Sequence, residues 1–179
     1  MNIFILSDEP TKAAREHNDK HVVKMILESG QMLSTAHRML DGKEYIEKSR
    51  TGRNVRRWKH PDSNMESTLY KAVHMNHPCT IWTRETQGNY YWHFELFKAL
   101  CEEYIYRYKK IHATQEKLME LLSHHPKNIL DADQTPFAQA MPDYCKNIDA
   151  VKAYRKYYIH EKNGFANWKG RSKPRWYNA

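Results

Sequence analysis

The stretch His17–Lys43, HNDKHVVKMILESGQMLSTAHRMLDGK, contains the strongest helical signal in the chain. Read at 3.6 residues per turn, its apolar side chains cover most of the helix surface and its polar side chains share one narrow line. The line consists of His21, Lys24, Glu28, Gln31, Thr35 and Arg38. Such a helix is mostly buried, so the polar line faces either solvent or a cleft. We predict a helix over about residues 20–40, with Asp19 as its N-cap and Asp41-Gly42 at its end.

Glu28 is the candidate for chemistry on this helix. Apolar residues flank it, and Lys24 and His21 lie on the same line of the helix. A carboxylate near an imidazole and an amine in apolar surroundings is typical of acid/base sites. A solvent-facing stripe of ion pairs fits the same pattern, so both interpretations stay open.

The remaining sequence predicts further helices joined by long loops. Helical patterns cover about residues 66–76, 90–110, 114–124 and 147–162, and a loop with three prolines spans 126–142. Residues 43–65 show no sustained periodicity and predict an irregular basic insertion. Only the first seven residues are prone to form a strand. We therefore predict an all-α fold, a compact single-domain helical bundle over residues 1–179 with long loops and a short extended N-terminus.

Composition limits the classes of protein. An apolar content of 40% with 12% aromatics argues against wholesale disorder. No apolar run approaches the ~18 residues of a membrane span, so we predict a cytoplasmic monomer with no membrane partner. The three cysteines lack CxxC spacing, which favours a reducing compartment and argues against a cysteine-rich zinc site. His17 and His21 have metal-ligand spacing, but an N-cap at Asp19 leaves His17 outside the helix, and no metal is predicted.

The formal net charge of +8 is concentrated in two segments. Seven cations and two glutamates lie between Lys43 and Lys59, and eight cations and one glutamate lie between Lys152 and Arg175. Both segments are interleaved with aromatic residues, which favours a polyphosphate with stackable bases over a merely solvated surface. The expected partner is double-stranded DNA, with RNA or nucleotides as alternatives. The predicted DNA contacts in the insertion and in the basic aromatic tail, residues 163–179, are Arg53, Arg56, Arg57, Trp58, Lys169, Arg171, Lys173, Arg175 and Trp176.

The first helix also carries a resemblance to a known family. The order DKHVVKMILE, followed by a helix that ends in Asp41-Gly42-Lys43, is similar to the first helix of the phage pyrimidine-dimer DNA glycosylases. The fragments NHPCTIW, residues 76–82, and KPRWY, residues 173–177, continue the resemblance in the same order. The chain also resembles a group of small phage proteins of unassigned function. That likeness implies that the protein is located in the cytoplasm of an infected bacterial host cell.

The resemblance implies base excision by a DNA glycosylase with AP-lyase activity. In the family, the N-terminal α-amine attacks the sugar C1′ and expels the base, and a Schiff base then permits strand cleavage by β-elimination. The family's essential glutamate matches Glu28. The amine would belong to Met1, because the bulk of Asn2 should prevent removal of the methionine. The resemblance further implies His21 as a third catalytic residue, no cofactor, and a site lined by Lys24, Arg38 and His77 that contacts DNA.

The chain departs from the family in several places, which include the insertion between Lys43 and Glu66 and the 126–142 loop. Family arginines that grip distorted DNA are replaced by Leu27 and Gln31. Their loss points away from pyrimidine dimers and toward another damaged or modified base in DNA repair, or a nucleotide. Two alternatives stay open: a non-catalytic phage nucleic-acid-binding protein, in which Glu28 faces solvent, and a metal-dependent nucleotide hydrolase, whose activity a chelator abolishes.

Overall fold

Seven α-helices and one β-hairpin make up residues 1–177, the part of the chain that this computed structural model describes. The helices are α1 Pro10–Glu16, α2 Asp19–Asp41, α3 Ser63–Thr68, α4 Pro78–Thr83, α5 Gln87–Tyr108, α6 Ala113–Leu122 and α7 Ala150–Glu161. The strands are β1 Lys43–Lys48 and β2 Asn54–Lys59, and short 3-10 turns cover Asp143–Cys145 and Asn163–Phe165. Within residues 1–177, no helix is long and apolar enough to cross a membrane.

The prediction of an all-α fold is wrong, because part of the basic insertion forms an antiparallel hairpin. Its register pairs Lys43 with Lys59 and Lys48 with Asn54, and Gly52 adopts the positive φ of 79° that its turn requires. The strands expose most of their side chains on both faces. Since no apolar face is buried, the sequence lacks the alternation that identifies a half-buried strand. The backbone ladder and cross-strand ion pairs hold the hairpin together instead.

Helix α2 forms where the sequence predicts it, with a different cap. The Asn18 side chain accepts a hydrogen bond from the His21 amide at 2.9 Å and caps the helix. Asp19, expected in that role, instead binds the Arg107 guanidinium at 2.9 Å. The helix ends at Gly42, where a Cβ atom would lie 2.3 Å from the Arg38 carbonyl oxygen. Only glycine permits this close approach, which turns the chain into β1.

The first residues of the chain lie in the core as a segment without helix or strand. Residues 3–6 are each at most 4% exposed. The Phe4 ring packs against His21 of α2 and Tyr154 of α7, and the Asn2 side chain accepts a hydrogen bond from Cys79 of α4. Among the described residues, this segment pairs with no strand. Its position brings the chain start to the middle of α2.

The other predicted helices are mostly confirmed as α5, α6 and α7, and residues 126–142 form a loop. The predicted helix over 66–76 is wrong, because α3 ends at Thr68. The carbonyl groups of Leu69 and Tyr70 accept hydrogen bonds from Arg38 instead of continuing the helix. Pro78 does not end a helix but begins α4, a position that suits its fixed φ.

Candidate active site at the chain start

The Glu28 carboxylate lies beside the first two residues of the chain. Its Oε2 accepts a hydrogen bond from the Asn2 amide at 2.8 Å and lies 3.7 Å from the Met1 α-amine. Its Oε1 lies 3.3 Å from Nζ of Lys24, one helical turn earlier on α2. The Glu28 side chain is 10% exposed, and that of Lys24 is 64% exposed. Glu28 is thus a nearly buried carboxylate matched by two cationic groups, and it does not face bulk solvent.

Met1 presents its main chain, and not its side chain, to the surface. The Met1 side chain is 3% exposed and its Sδ accepts a contact from Thr80 Oγ1 at 3.6 Å. The residue as a whole is nevertheless partly exposed. The exposed area therefore belongs to main-chain atoms, which include the α-amine. The buried side chain fixes the position of this amine.

Asn2 holds the chain start through its side chain, which the sequence analysis did not single out as a site residue. Its Nδ2 donates to the Ala140 carbonyl at 2.9 Å, and its Oδ1 accepts from Tyr154 Oη at 3.1 Å and from Cys79 Sγ at 3.3 Å. Burial raises the pKa of the Cys79 thiol to about 11, so the thiol is a donor here and not a nucleophile. Partners 77 to 152 residues away cannot be found from local sequence patterns.

His77 lies in the electrostatic field of the same site. Its Nδ1 accepts the Cys79 amide at 3.2 Å and caps α4, which leaves the ring proton on Nε2. Partial burial lowers the pKa of His77, and the positive N-terminal ammonium lowers it further, whereas Glu28 acts in the opposite direction. His77 is therefore a neutral imidazole at pH 7 beside the amine and the carboxylate.

His21 is not brought to the Glu28 carboxylate. Seven residues along α2 correspond to about 10 Å of helix axis. The His21 ring instead stacks on Phe4, with a centroid separation of 4.3 Å, and its Nδ1 lies 2.5 Å from Tyr158 Oη. Burial first, then the nearby charge of His17, lowers the pKa of His21 to about 2. This imidazole is a neutral core residue.

Arg38, expected to line the site, instead anchors the chain around the hairpin. Its guanidinium donates to the carbonyls of Tyr70, Trp58, Glu66 and Leu69 at 2.7 to 3.0 Å, and to the Glu66 carboxylate at 2.6 Å. All five of its donors are therefore used within the protein. A phosphate could compete only by breaking one of these bonds.

Two of the three hairpin arginines predicted to bind DNA, Arg53 and Arg56, are exposed. Arg56 pairs with Glu44 at 2.6 Å and lies over the Trp58 ring, and Arg57 pairs with Glu47 at 2.9 Å. Arg53 is exposed at the turn, whereas the Trp58 side chain is buried and unable to stack on a base in this conformation. The hairpin thus presents Arg53 and Arg56 outward. The ion pair between Arg56 and Glu44 lies at the surface and is therefore weak, so a phosphate can replace the carboxylate.

The described part of the basic tail packs against α1, α2 and α5. Arg171 binds the buried Glu103 carboxylate through two hydrogen bonds, and the Trp176 indole donates to Glu16 at 2.8 Å. The Lys169 amide donates to Asp19, and its ammonium lies over the Tyr108 ring. Lys173 lies over the Tyr177 ring, and Arg175 is exposed. Residues 178–179 of the predicted tail lie outside the described residues.

Glu28 lies between these two basic segments. The tail contacts the N-terminal end of α2 at Asp19, and the hairpin follows its C-terminal end at Asp41. At 1.5 Å per residue, Glu28 is about 13 Å from Asp19 and about 20 Å from Asp41 along the helix axis. The whole helix is about 34 Å long, which matches about ten nucleotide steps of B-DNA.

Within residues 1–177, one group of three side chains has potential metal-ligand atoms within 4.8 Å of one another, and this group lies away from Glu28. It consists of His37 and Asp41 at the end of α2 and His60 after β2.

Comparisons of the chain with protein-family models, with curated proteins and with solved structures gave no match.

Proposed function

We propose that this protein is a DNA-binding enzyme that acts at the N-glycosidic bond of damaged or modified bases, with AP-lyase activity. One observation carries the proposal: the Met1 α-amine lies 3.7 Å from a nearly buried carboxylate of Glu28 while the Met1 side chain is packed away from solvent. An amine and a carboxylate so placed are the two groups that imine chemistry at a sugar C1′ needs. The family resemblance of the sequence points to the same pair.

The roles of the two groups follow from their chemistry. The neutral amine attacks C1′, the bond to the base breaks, and the base leaves with the bonding electron pair and a proton. Glu28 stabilises the cationic sugar as it forms and accepts the proton that the attacking amine loses. The C1′–O4′ bond then breaks, Glu28 passes the proton it accepted to O4′, and the opened sugar is joined to the Met1 nitrogen as a protonated imine. The imine makes the C2′ proton acidic, and transfer of that proton to a base expels the 3′ phosphate.

Access to the sugar requires a distorted duplex. Extruding a nucleotide costs a few kcal/mol, which phosphate contacts on both sides of the lesion offset. The exposed hairpin cations and the tail lie at opposite ends of α2 and suit such contacts. Lys24, which is largely exposed beside Glu28, is placed to bind a phosphate of the extruded nucleotide.

The proposal is tested by borohydride trapping on duplexes that contain an abasic site. We expect a covalent protein–DNA adduct whose linkage maps to the Met1 nitrogen by mass spectrometry. Adding two residues before Met1 should abolish the adduct, whereas adding the same two residues after Ala179 should leave it unchanged. Absence of any adduct, or an adduct that survives the N-terminal extension, would rule out the amine as nucleophile.

The role of Glu28 is tested separately with Glu28→Gln, which keeps an oxygen for the Asn2 amide. We expect at least a hundredfold slower strand cleavage with unchanged duplex affinity, because the variant loses acid/base function and retains the fold. Glu102→Gln, at an exposed position of α5, is the matched control. Equal cleavage rates for Glu28→Gln and the wild type would rule out Glu28 as the acid/base group.

A further inference from the structure

Two histidines and one aspartate converge where α2 gives way to the hairpin. His37 and Asp41 are one turn apart on α2, and His60 directly follows β2. One ligand atom of each residue lies within 4.8 Å of the others, and His60 Nε2 is 3.9 Å from Asp41 Oδ2. Two chain segments separated by the whole hairpin thus bring nitrogen and oxygen donors to a common point.

The two imidazoles each carry a buried nitrogen without a partner. His37 is 1% exposed and His60 is 6% exposed. His37 Nδ1 and His60 Nε2 are buried and have no hydrogen-bond partner in the structure. Buried polar atoms are almost always satisfied in folded proteins. Seven buried side-chain atoms lack a partner among the described residues, and two of the seven belong to this one group of candidate metal ligands.

The bonds around His37 and Asp41 orient both side chains toward that point. His37 Nε2 lies 3.1 Å from the His124 carbonyl, which can only accept, so Nε2 carries the proton and Nδ1 the lone pair. The Asp41 carboxylate accepts hydrogen bonds from the amides of Lys127 and Asn128 at 2.8 and 2.9 Å. Metal-binding residues are held by outer hydrogen bonds of this kind.

His60 can join the site by changing its tautomer. Its Nδ1 accepts the Asp62 amide at 3.1 Å, which places the ring proton on Nε2 when no ion is bound. An ion at Nε2 requires that proton to move to Nδ1, and the Asp62 amide then turns to water. Asp62 is exposed, so solvent can replace the lost bond.

The three donors also border a cavity of about 560 Å³ that His124, His125 and Lys127 help to line. We propose that His37 Nδ1, the Asp41 carboxylate and His60 Nε2 bind a divalent transition-metal ion of the Zn²⁺ class, with a further coordination position open to this cavity. Imidazole with one carboxylate suits Zn²⁺ and its neighbours, whereas Mg²⁺ and Ca²⁺ prefer all-oxygen sites. Tetrahedral ligands of Zn²⁺ are roughly 3.4 Å apart, so the three donors need to close by about 1 Å.

The site is distinct from the proposed active site. His37 is nine residues beyond Glu28, which corresponds to about 13 Å along α2. Its ion would connect the end of α2 to the base of the hairpin. Water or a ligand in the cavity could bind at the open coordination position of this ion. We therefore expect abasic-site trapping to proceed after the ion is removed, which separates a failure of either proposal from the other.

Cobalt titration of chelator-treated full-length protein tests the site. We expect one equivalent of Co²⁺ to produce the visible d–d absorption of a four- or five-coordinate ion, and one equivalent of Zn²⁺ to remove it. Two variants delete one donor each and keep the structural bond of the same ring. His37→Gln retains an Nε2 donor to the His124 carbonyl, and His60→Asn retains an acceptor for the Asp62 amide.

Each variant should weaken Co²⁺ binding at least tenfold. The matched control is His112→Asn, because His112 accepts the Thr114 amide at 3.1 Å in the same way and lies outside the cluster. This control should bind Co²⁺ like the wild type. Wild-type protein that binds no Co²⁺ at micromolar concentrations would overturn the proposal. So would binding that persists unchanged in both donor variants, since the surface histidines would then be the ligands.

Discussion

The hairpin and the basic tail have similar compositions and differ in what holds their cations. Arg56 in the hairpin and Arg171 in the tail each bind one glutamate through two hydrogen bonds. The partner of Arg56 is Glu44, whose side chain is 42% exposed, whereas the partner of Arg171 is Glu103, whose side chain is 3% exposed. Burial of the partner carboxylate, and not the number of charges, separates a cation that builds the fold from one that is available to a ligand.

The tail depends on a buried ionic cluster for which the hairpin strands have no equivalent. Glu103 accepts hydrogen bonds from both Arg107 and Arg171, and Arg107 continues to Asp19 at the start of α2. The Arg107 side chain is fully buried. Removing one charge from such a cluster leaves another charge buried without compensation, and this costs more than losing a surface pair.

The largest effect should therefore come from Glu103→Gln. We expect it to lower the free energy of unfolding by about 3–5 kcal/mol, because Arg107 loses its closest carboxylate while remaining buried. Urea denaturation at pH 7 measures the change. Glu102→Gln, on the exposed side of the same helix, should leave the midpoint unchanged. Equal midpoints for both variants would mean that the tail's anchor contributes nothing to stability.

A change of pH should act next most strongly, through the end of α2 that the tail covers. His21 contacts Phe165 of the tail, and the positive charges of Lys162 and Lys24 lie near its ring. Its pKa is about 2 in the folded protein and 6.5 when unfolded, so the unfolded chain binds an extra proton below pH 6.5. The contribution of neutral His21 to the free energy of unfolding is therefore fully present above pH 6.5. Below pH 6.5 it falls by about 1.4 kcal/mol per pH unit.

Comparing variants isolates this histidine. Between pH 6.5 and pH 5, the wild type should lose about 2 kcal/mol more than His21→Phe, as measured by urea denaturation at each pH. His160→Phe, at an exposed position of α7, should follow the wild type. If His21→Phe has the same pH dependence as the wild type, His21 does not remain neutral in the folded protein.

The sequence could predict the parts of this fold that depend on local periodicity. Helix α2 follows from its apolar pattern, and the polar line led to Glu28 as the residue of interest. The contact between Glu28 and Met1 was expected only from the family resemblance, because helical spacing cannot place a chain terminus. The hairpin was missed since neither of its faces is buried. Arg38 was misassigned as site lining because its carbonyl partners lie 20 to 32 residues away.

The cluster of His37, Asp41 and His60 was also beyond sequence reasoning. His37 and Asp41 have a spacing that binds metals on helices, but the third donor depends on a hairpin that the pattern did not predict. The histidines that drew attention in the sequence, His17 and His21, are core residues whose rings lie edge to face. Neither spacing nor burial distinguishes these two pairs, because His17, His21 and His37 are each at most 5% exposed. The difference is the third donor, His60, which lies close to His37 and Asp41.

A pair of substitutions sharpens the comparison between the two segments. Arg171→Gln should lower the free energy of unfolding by about 1–2 kcal/mol, because it removes two charge-assisted hydrogen bonds to a buried carboxylate, with a discount for its partial exposure. Arg56→Gln removes two bonds of the same kind from an exposed carboxylate and should leave the unfolding midpoint unchanged. Both are measured by urea denaturation at pH 7. A larger loss for Arg56→Gln would reverse the assignment of structural and available cations.

For DNA binding we expect the opposite order, because substitutions in the hairpin should weaken binding and the substitution of Arg171 should not. The expected change in binding free energy is the smallest of the effects predicted here. The double variant Arg53→Gln/Arg56→Gln should bind a short duplex roughly tenfold more weakly, with the slope of log K against log salt reduced in magnitude by about 2, because two phosphate contacts are lost. Arg171→Gln should leave the slope unchanged, since its guanidinium is already bound to Glu103. Fluorescence anisotropy over a series of salt concentrations measures both. A reduced slope for Arg171→Gln alone would mean that Arg171 contacts a phosphate, and burial of a cation's partner would then fail as a guide to the cation's availability.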